Sequence, residues 1–244
     1  HKKIAVEIRV YNPSQSFLCE LEDMTFVESN GHVSMEGEHY SDNVAVGNAA
    51  WQRIPDYGRT LSSMAIFPTT TPTAVPGENA PYLEYKVYIS NPGEVTVTTY
   101  KAPSNNIYRD RGLRYAIAFN DQEPQIIDSF PKENDAFYTS PLWSIGVIDN
   151  IRKNESQHLI HKPGVHTLRF WMVDPGIVLQ KIVIDTGGVK PSYLGPPESY
   201  FKGKTKTVGK EGYLELLTWY DYARYLAESI SSGDWEGLTV QESL

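Results

Sequence analysis

Short runs in which apolar and polar residues alternate dominate the first three quarters of the chain. They read IAVEIRVY, HVSMEGEHY, LEYKVYI, EVTVTTYKA, LRYAIAFN, PQIIDSF, HTLRFWMV and IVLQKIVID, with Gly, Pro and Asn between them. A period of two residues is typical of strands with one buried face, and the intervening residues are those that form turns. The pattern predicts an all-β protein, an antiparallel β-sandwich or barrel.

Three pairs of neighbouring runs are joined by short turn sequences. SNPG separates LEYKVYI from EVTVTTYKA, DQE lies between LRYAIAFN and PQIIDSF, and DPG lies between HTLRFWMV and IVLQKIVID. Turn-forming residues between two strand-like runs predict a β-hairpin at each of the three places.

One segment near the C-terminus has the period of a helix instead. It follows the basic linker FKGKTKTVGK, and Gly233 supplies a natural C-terminal stop. Apolar positions at helical spacing are Tyr213, Leu216, Leu217, Tyr220, Ala223, Ala227 and Ile230. They predict one amphipathic helix of about five turns, which either docks on a neighbouring domain or binds a partner.

Composition narrows the function classes. The net charge is −8, which argues against nucleic acid and an anionic membrane surface. No apolar run approaches the roughly 20 residues that a membrane helix needs. The single cysteine, Cys19, excludes an intrachain disulfide. The strand-like beginning, without a signal peptide, suggests a fragment or a processed chain.

Motifs for hydrolytic or metal chemistry are weak. The sequence has no G-x-S-x-G element, and Cys19 lies in an alternating run that favours a small buried residue over a nucleophile. His158 and His161 are three residues apart, a spacing that does not place two imidazoles on one face of a strand. We interpret them as ordinary loop histidines.

Two carboxylates, Glu36 and Glu38, are separated by one residue in a strand-like run. Their side chains are therefore expected on the same face. Two neighbouring carboxylates repel each other unless a cation lies between them. The pair is either solvated on an exposed face or holds calcium, which prefers oxygen ligands.

Aromatic and arginine residues gather beside turns in two regions, WQRIPDYGRT and the loop that ends in YTSPLW. Sugar rings stack on aromatic planes, and their hydroxyl or carboxylate groups pair with planar polar side chains. The candidate sugar contacts are Trp51, Arg53, Tyr57, Arg59, Tyr138 and Trp143. A place in the sandwich core is the alternative for each tryptophan.

Five blocks of sequence in a fixed order resemble a known family. They are GHVSMEGEHY, WQRIPDYGRT, APYLEYKVYIS, GVHTLRFWMVDPGIVLQKIVIDTGG and KPSYLGPPES. Together they closely resemble the C-terminal domain of glycoside hydrolase family 115, known as xylan α-1,2-glucuronidases. The resemblance covers roughly residues 25–199 and implies a jelly-roll-like β-sandwich similar to carbohydrate-binding modules of families 6 and 35.

The resemblance also implies a domain organisation. Residues 1–24 are a strand or linker from a preceding region, 25–199 form the sandwich, and 200–244 contain the basic linker and the helix. In the family the catalytic carboxylates lie in an upstream α/β barrel, which this chain lacks, so no catalytic residue is carried over. An attached catalytic domain and an extracellular or periplasmic location in a bacterium are implied as well.

A calcium site follows from the same resemblance. Modules of families 6 and 35 begin with a Glu-Ala-Glu strand whose carboxylates hold a structural Ca²⁺, and the matching run here is Glu36-Gly37-Glu38. Their last strand adds an Asp, at a position that is Gln180 in this chain. A Gln carbonyl can bind calcium, but the lost charge weakens the site.

Three functions remain open from the sequence. The first is a non-catalytic module that binds or positions xylan or glucuronoxylan for an attached enzyme. The second is a structural or dimerisation domain that binds no sugar. The third is a small hydrolase with paired carboxylates.

Overall fold

The computed structural model describes residues 14, 17, 20–108, 111–130 and 146–203, all within the unit His1–Lys204. Its strands are β1 Thr25–Val27, β2 His32–Glu36, β3 Asp42–Val44, β4 Ala50–Ile54, β5 Ser63–Phe67, β6 Tyr82–Ile89, β7 Gly93–Lys101, β8 Arg114–Phe119, β9 Gln125–Asp128, β10 Arg152–Ile160, β11 Gly164–Met172, β12 Val178–Asp185 and β13 Phe201–Lys202. Among the described residues, no helix has the length and hydropathy to cross a membrane.

The strands form two sheets. One has the order β13-β1-β6-β11-β8-β9, with β3 also on β6; the other has the order β10-β7-β12-β5-β4, with β2 also on β12. The described ladders are antiparallel except β1 with β6. The predicted all-β antiparallel sandwich is confirmed. The predicted strand IAVEIRVY and the predicted C-terminal helix lie outside the described residues.

The core lies between the sheets and follows the alternation in the sequence. In β6, every second side chain is fully buried, namely Leu83, Tyr85, Val87 and Ile89. They pack with inward side chains of the other sheet, including Met35, Met64, Val97, Ile182 and Ile184. Burial of so many large apolar groups is the main stabilising contribution to this fold.

The three predicted hairpins have different outcomes. β8 and β9 pair across DQE, with Arg114 opposite Asp128, so that hairpin is confirmed. β6 and β7 belong to different sheets, and so do β11 and β12; the hairpin predictions across SNPG and DPG are wrong. Because both strands at each link bury a face in the same core, the chain crosses from one sheet to the other.

A proline-rich segment, residues 189–199, covers the outer face of the six-stranded sheet; we call it the strap. Val189 packs with Val183, Tyr100 and Ile151 on that face. The Ser199 N–H donates to the Ser34 carbonyl at 2.9 Å, which continues the strap beside β2. The strap covers the outer face of β12, so β12 is buried on both faces.

Two buried carboxylates cross-link the fold. Asp174 is fully buried and accepts Arg114 Nε at 2.9 Å and a contact from Arg111. Burial alone raises the pKa of Asp174, but these donors outweigh it and lower the pKa. Glu28 likewise accepts Asn91 Nδ2 at 2.7 Å and Thr186 Oγ1 at 2.5 Å, and its pKa is lowered despite burial. Both acids are structural.

Candidate functional site

Trp51 lies in the core. Its side chain is only 2% exposed, its ring centroid is 5.4 Å from that of Phe170, and its Nε1–H donates to the Pro81 carbonyl at 3.3 Å. A sugar cannot stack on a ring that the sandwich encloses. The prediction that Trp51 contacts sugar is therefore wrong, and the alternative of a core residue is what the structure shows.

Arg53 points outward from β4 beside a carboxylate. Its Nε contacts the Glu38 carboxylate and donates to Ser62 Oγ at 3.0 Å, while 54% of its side chain stays exposed. The pair lies at the base of the β4–β5 loop, residues 55–62. Arg53 is thus accessible to a ligand, but an incoming carboxylate meets a guanidinium that Glu38 already neutralises in part.

The β4–β5 loop carries the next two predicted residues, Tyr57 and Arg59. A Cβ on Gly58 would lie 2.4 Å from the Leu61 carbonyl oxygen, so the tight turn between them needs glycine. The Ser63 hydroxyl donates to the Tyr57 carbonyl, which fixes the backbone of this turn. Tyr57 itself remains 54% exposed at the surface.

Arg59 joins three segments that are distant in sequence. Its backbone N–H donates to Gln180 Oε1 at 3.2 Å, and its Nη2 donates to the Asp149 carbonyl at 2.6 Å. Its Nη1 donates to the Tyr193 carbonyl, and its guanidinium lies 3.9 Å from the centroid of the Tyr193 ring. The Arg59 guanidinium therefore positions the strap.

Exposed rings and aliphatic side chains occur on the β4–β5 loop and on the strap, the two segments that the Arg59 bond to the Tyr193 carbonyl joins. Tyr193 is 65% exposed and Leu194 is 49% exposed on the strap, and Tyr57 and Leu61 are exposed on the loop. We call Tyr57, Arg59 and Tyr193 the platform. Tyr193 was missed from the sequence, where the strap was interpreted only as a domain ending; the signal was a tyrosine held between prolines and glycine.

Tyr138 and Trp143 lie outside the described residues and stay predictions. The segment that contains them connects β9 to β10. Asp149, near the end of the same connection, is bonded to Arg59. The connection therefore ends beside the platform.

The residues predicted to hold calcium are each bonded within the protein. Glu36 Oε1 accepts Lys181 Nζ at 3.0 Å and Thr60 Oγ1 at 2.6 Å. Glu38 Oε1 accepts the Ser62 N–H at 2.9 Å, and Gln180 faces the Arg59 backbone. No three His, Cys, Asp or Glu side chains converge as a metal site in the part of the chain that the structure describes. The donor set does not fit calcium.

The chain matches one family model, the glycosyl hydrolase family 115 C-terminal domain, over residues 25–198. No curated protein matches it significantly. Among solved structures, a family GH115 4-O-methyl-α-glucuronidase, BtGH115A, with specificity for decorated arabinogalactans, is 15% identical over 62% of this chain, with a TM-score of 0.47. This chain spans 17% of the length of that glucuronidase.

Two isolated modules are also similar. The C-terminal family 6 carbohydrate-binding module of LamC from Zobellia galactanivorans is 10% identical over 63% of this chain and 98% of its own length, with a TM-score of 0.41. A family 35 carbohydrate-binding module from Clostridium thermocellum is 17% identical over 62% of this chain and 97% of its own, with a TM-score of 0.42.

Proposed function

Because the chain belongs to the glycosyl hydrolase family 115 C-terminal domain family, we propose that it is a non-catalytic module that binds polysaccharide for an attached catalytic domain. The polysaccharide is a xylan, with glucuronoxylan as the preferred form, and the module works outside the cell or in the periplasm, where such polymers are met. The observation that carries the proposal is the exposed Tyr193 ring, held in place by Arg59.

The platform suits a sugar for physical reasons. An exposed tyrosine ring offers an apolar face to sugar C–H groups and a hydroxyl to sugar oxygens. The Arg59 bonds orient Tyr193 before a ligand arrives, so little conformational entropy is lost on binding. Two rings on an open surface make few contacts, and we expect dissociation constants between micromolar and millimolar.

Arg53 is the cation that we assign to the glucuronate carboxylate. Arg59 uses its Nη groups on two backbone carbonyls, whereas the Arg53 side chain is more than half exposed. An exposed ion pair contributes little to affinity, at most about 1 kcal/mol. We therefore expect a preference of only a few fold for glucuronoxylan over unsubstituted xylan.

Affinity electrophoresis in gels with glucuronoxylan or unsubstituted xylan tests this function. Tyr193→Ala should weaken binding about tenfold, which corresponds to ~1.4 kcal/mol, while Tyr193→Phe keeps the ring and most of the binding. Ile126→Ala serves as a control, because Ile126 is 56% exposed on β9 of the other sheet. Arg53→Gln should remove only the preference for glucuronoxylan. Equal migration of a folded protein with and without either polymer would overturn the proposal.

A packing or dimerisation role is the second candidate. Val147 and Ile148, close to Asp149 and hence to the platform, are 52% and 78% exposed. Exposed apolar groups mark protein interfaces where they belong to a contiguous patch of several hundred Å². Light scattering of the full chain and its Ile148→Ser variant distinguishes the two roles: a dimer that Ile148→Ser dissociates, without binding to xylan, would favour packing.

A further inference from the structure

The pairing of β2 with β12 places a lysine against Glu36, one of the residues that the resemblance implied as calcium ligands. Lys181 lies directly opposite Glu36 in the antiparallel register, and both side chains are nearly inaccessible to solvent, at 4% and 5% exposure. Lys181 Nζ is 3.0 Å from Glu36 Oε1 and donates to the Pro196 carbonyl of the strap at 3.2 Å. A buried ammonium needs such partners, since an unpaired buried charge is strongly destabilising.

Two further carboxylates, those of Glu38 and Glu198, also have basic partners of their own. Glu38 contacts Arg53. Glu198 accepts His39 Nδ1 at 2.8 Å and also the Glu36 backbone N–H at 3.0 Å. Hydrogen bonding to Glu198 raises the pKa of His39 and favours its charged form, although burial opposes this. Each of the three carboxylates therefore has a basic side chain of its own as partner.

Calcium requires six to eight oxygen ligands and commonly gathers several uncompensated carboxylates. Around Glu36, the nearby oxygens already accept hydrogen bonds from Lys181, Thr60 and Ser62. A divalent ion placed here would face the ammonium at short range and be repelled by it. Charge and ligand count both disfavour the metal.

We propose that the Lys181 ammonium replaces the structural calcium in this fold, as a cation built into the chain. It neutralises Glu36 and connects β2, β12 and the strap through one nitrogen atom. Folding of this protein is consequently independent of divalent cations. Removal of Lys181 releases the strap at Pro196 and leaves Glu36 buried without its cation.

Thermal unfolding of the full chain in excess calcium or in EDTA tests the proposal. The wild type should unfold at the same temperature in both. Lys181→Met should lower the midpoint by roughly 10 °C, as expected when one partner of a buried ion pair is removed. Lys190→Met is the matched control, because Lys190 is exposed at the start of the strap, and should leave the midpoint unchanged.

A double variant separates the charge pair from simple packing. Glu36→Gln with Lys181→Met leaves no isolated charge, and we expect it to regain most of the stability that Lys181→Met loses. The comparison stays informative if Lys181→Met does not fold, because the wild type and the double variant are then measured alone. A wild type that EDTA destabilises and calcium restores would overturn the proposal, as would a Lys181→Met variant as stable as Lys190→Met. Neither outcome depends on sugar binding.

Discussion

His158 is a buried imidazole inside β10, not the loop histidine that its spacing from His161 indicated. It is 4% exposed, its Nε2 lies 2.8 Å from Ser156 Oγ, and its ring meets the edge of Phe119 at 5.4 Å. Burial lowers the pKa of His158 from 6.5 to about 4. The interpretation as a loop residue was wrong because the strand continues through the polar run that precedes it.

The lowered pKa predicts a loss of stability in acid. The unfolded chain binds a proton at His158 near pH 6.5 and the folded chain only near pH 4, so protons favour unfolding between these values. The free energy of unfolding should be fully retained above pH 6.5 and fall by about 3 kcal/mol as the pH drops to 4. Urea unfolding of the wild type against pH measures this.

His158→Gln should make the free energy of unfolding less dependent on pH between pH 4 and 6.5, since Gln does not titrate. His161→Gln is the matched control, because His161 is exposed and should leave the dependence as in the wild type. An unchanged slope in His158→Gln would show that other groups cause the acid sensitivity.

At single positions, the sequence predicted the chemical role of a side chain better than its place in the fold. The period of two correctly indicated that Glu36 and Glu38 act on one side, because both reach the β4–β5 loop. The period of two could not show that Lys181 lies opposite Glu36. These residues are 145 positions apart, and the sequence of neither strand determines the register between them. Trp51 shows the same limit: an aromatic residue beside a turn is either core or surface.

Among the elements, the strands were predictable and their partners were not. Alternation located β6, β7 and β11, because burial of one face leaves a period of two in any sheet. A turn sequence has the same residues whether the chain reverses within a sheet or crosses to the other sheet. Packing against the shared core determines which of the two connections forms. At SNPG and DPG, the chain crosses to the other sheet.

We expect the attachment of the strap to depend on pH. Glu198 binds His39 Nδ1, and the pKa of His39 lies above its ordinary value of 6.5. The ionic part of this interaction is fully present below pH 6.5 and is lost as the pH rises through the raised pKa of the folded state. Amide hydrogen exchange in residues 191–199, corrected for intrinsic rates, should therefore accelerate as the pH rises above 6.5.

Glu198→Gln provides the comparison for the strap. Gln can still accept a hydrogen bond but carries no charge that raises the pKa of His39, so the acceleration should disappear and exchange should be faster already at pH 6.5. Amides of β6, which lie in the other sheet, should show no such dependence in either protein. A strap whose corrected exchange rate is constant with pH would contradict this assignment.

In the whole molecule, the platform forms where three distant segments meet. Arg59 joins the loop after β4 to the connection before β10 and to the strap after β12. Sequence reasoning identified Tyr57 and Arg59 because they lie beside a turn. It missed Tyr193 because nothing local indicates that a proline-rich ending folds back across a sheet.

The C-terminal limit of the sandwich lies beyond both the predicted boundary at 199 and the family match, which ends at 198. Strand β13 pairs with β1, and the ring of Phe201 stacks on that of Phe26 at 4.4 Å. The Met24 N–H donates to the Lys202 carbonyl at 2.6 Å. The edge of the seven-stranded sheet thus depends on residues after the match.

A chain that ends at residue 199 should therefore be less stable than one that ends at 204. Loss of the aromatic pair and the edge hydrogen bonds amounts to about 2 kcal/mol, or roughly 4–8 °C in the midpoint of thermal unfolding. Phe201→Ala in the longer chain should give about half of this decrease, because the backbone bonds of β13 remain. Equal midpoints for the two lengths would place the domain boundary at 199 and show that β13 does not stabilise the sandwich. A lower midpoint for the shorter chain would show that β13 is part of the folding unit.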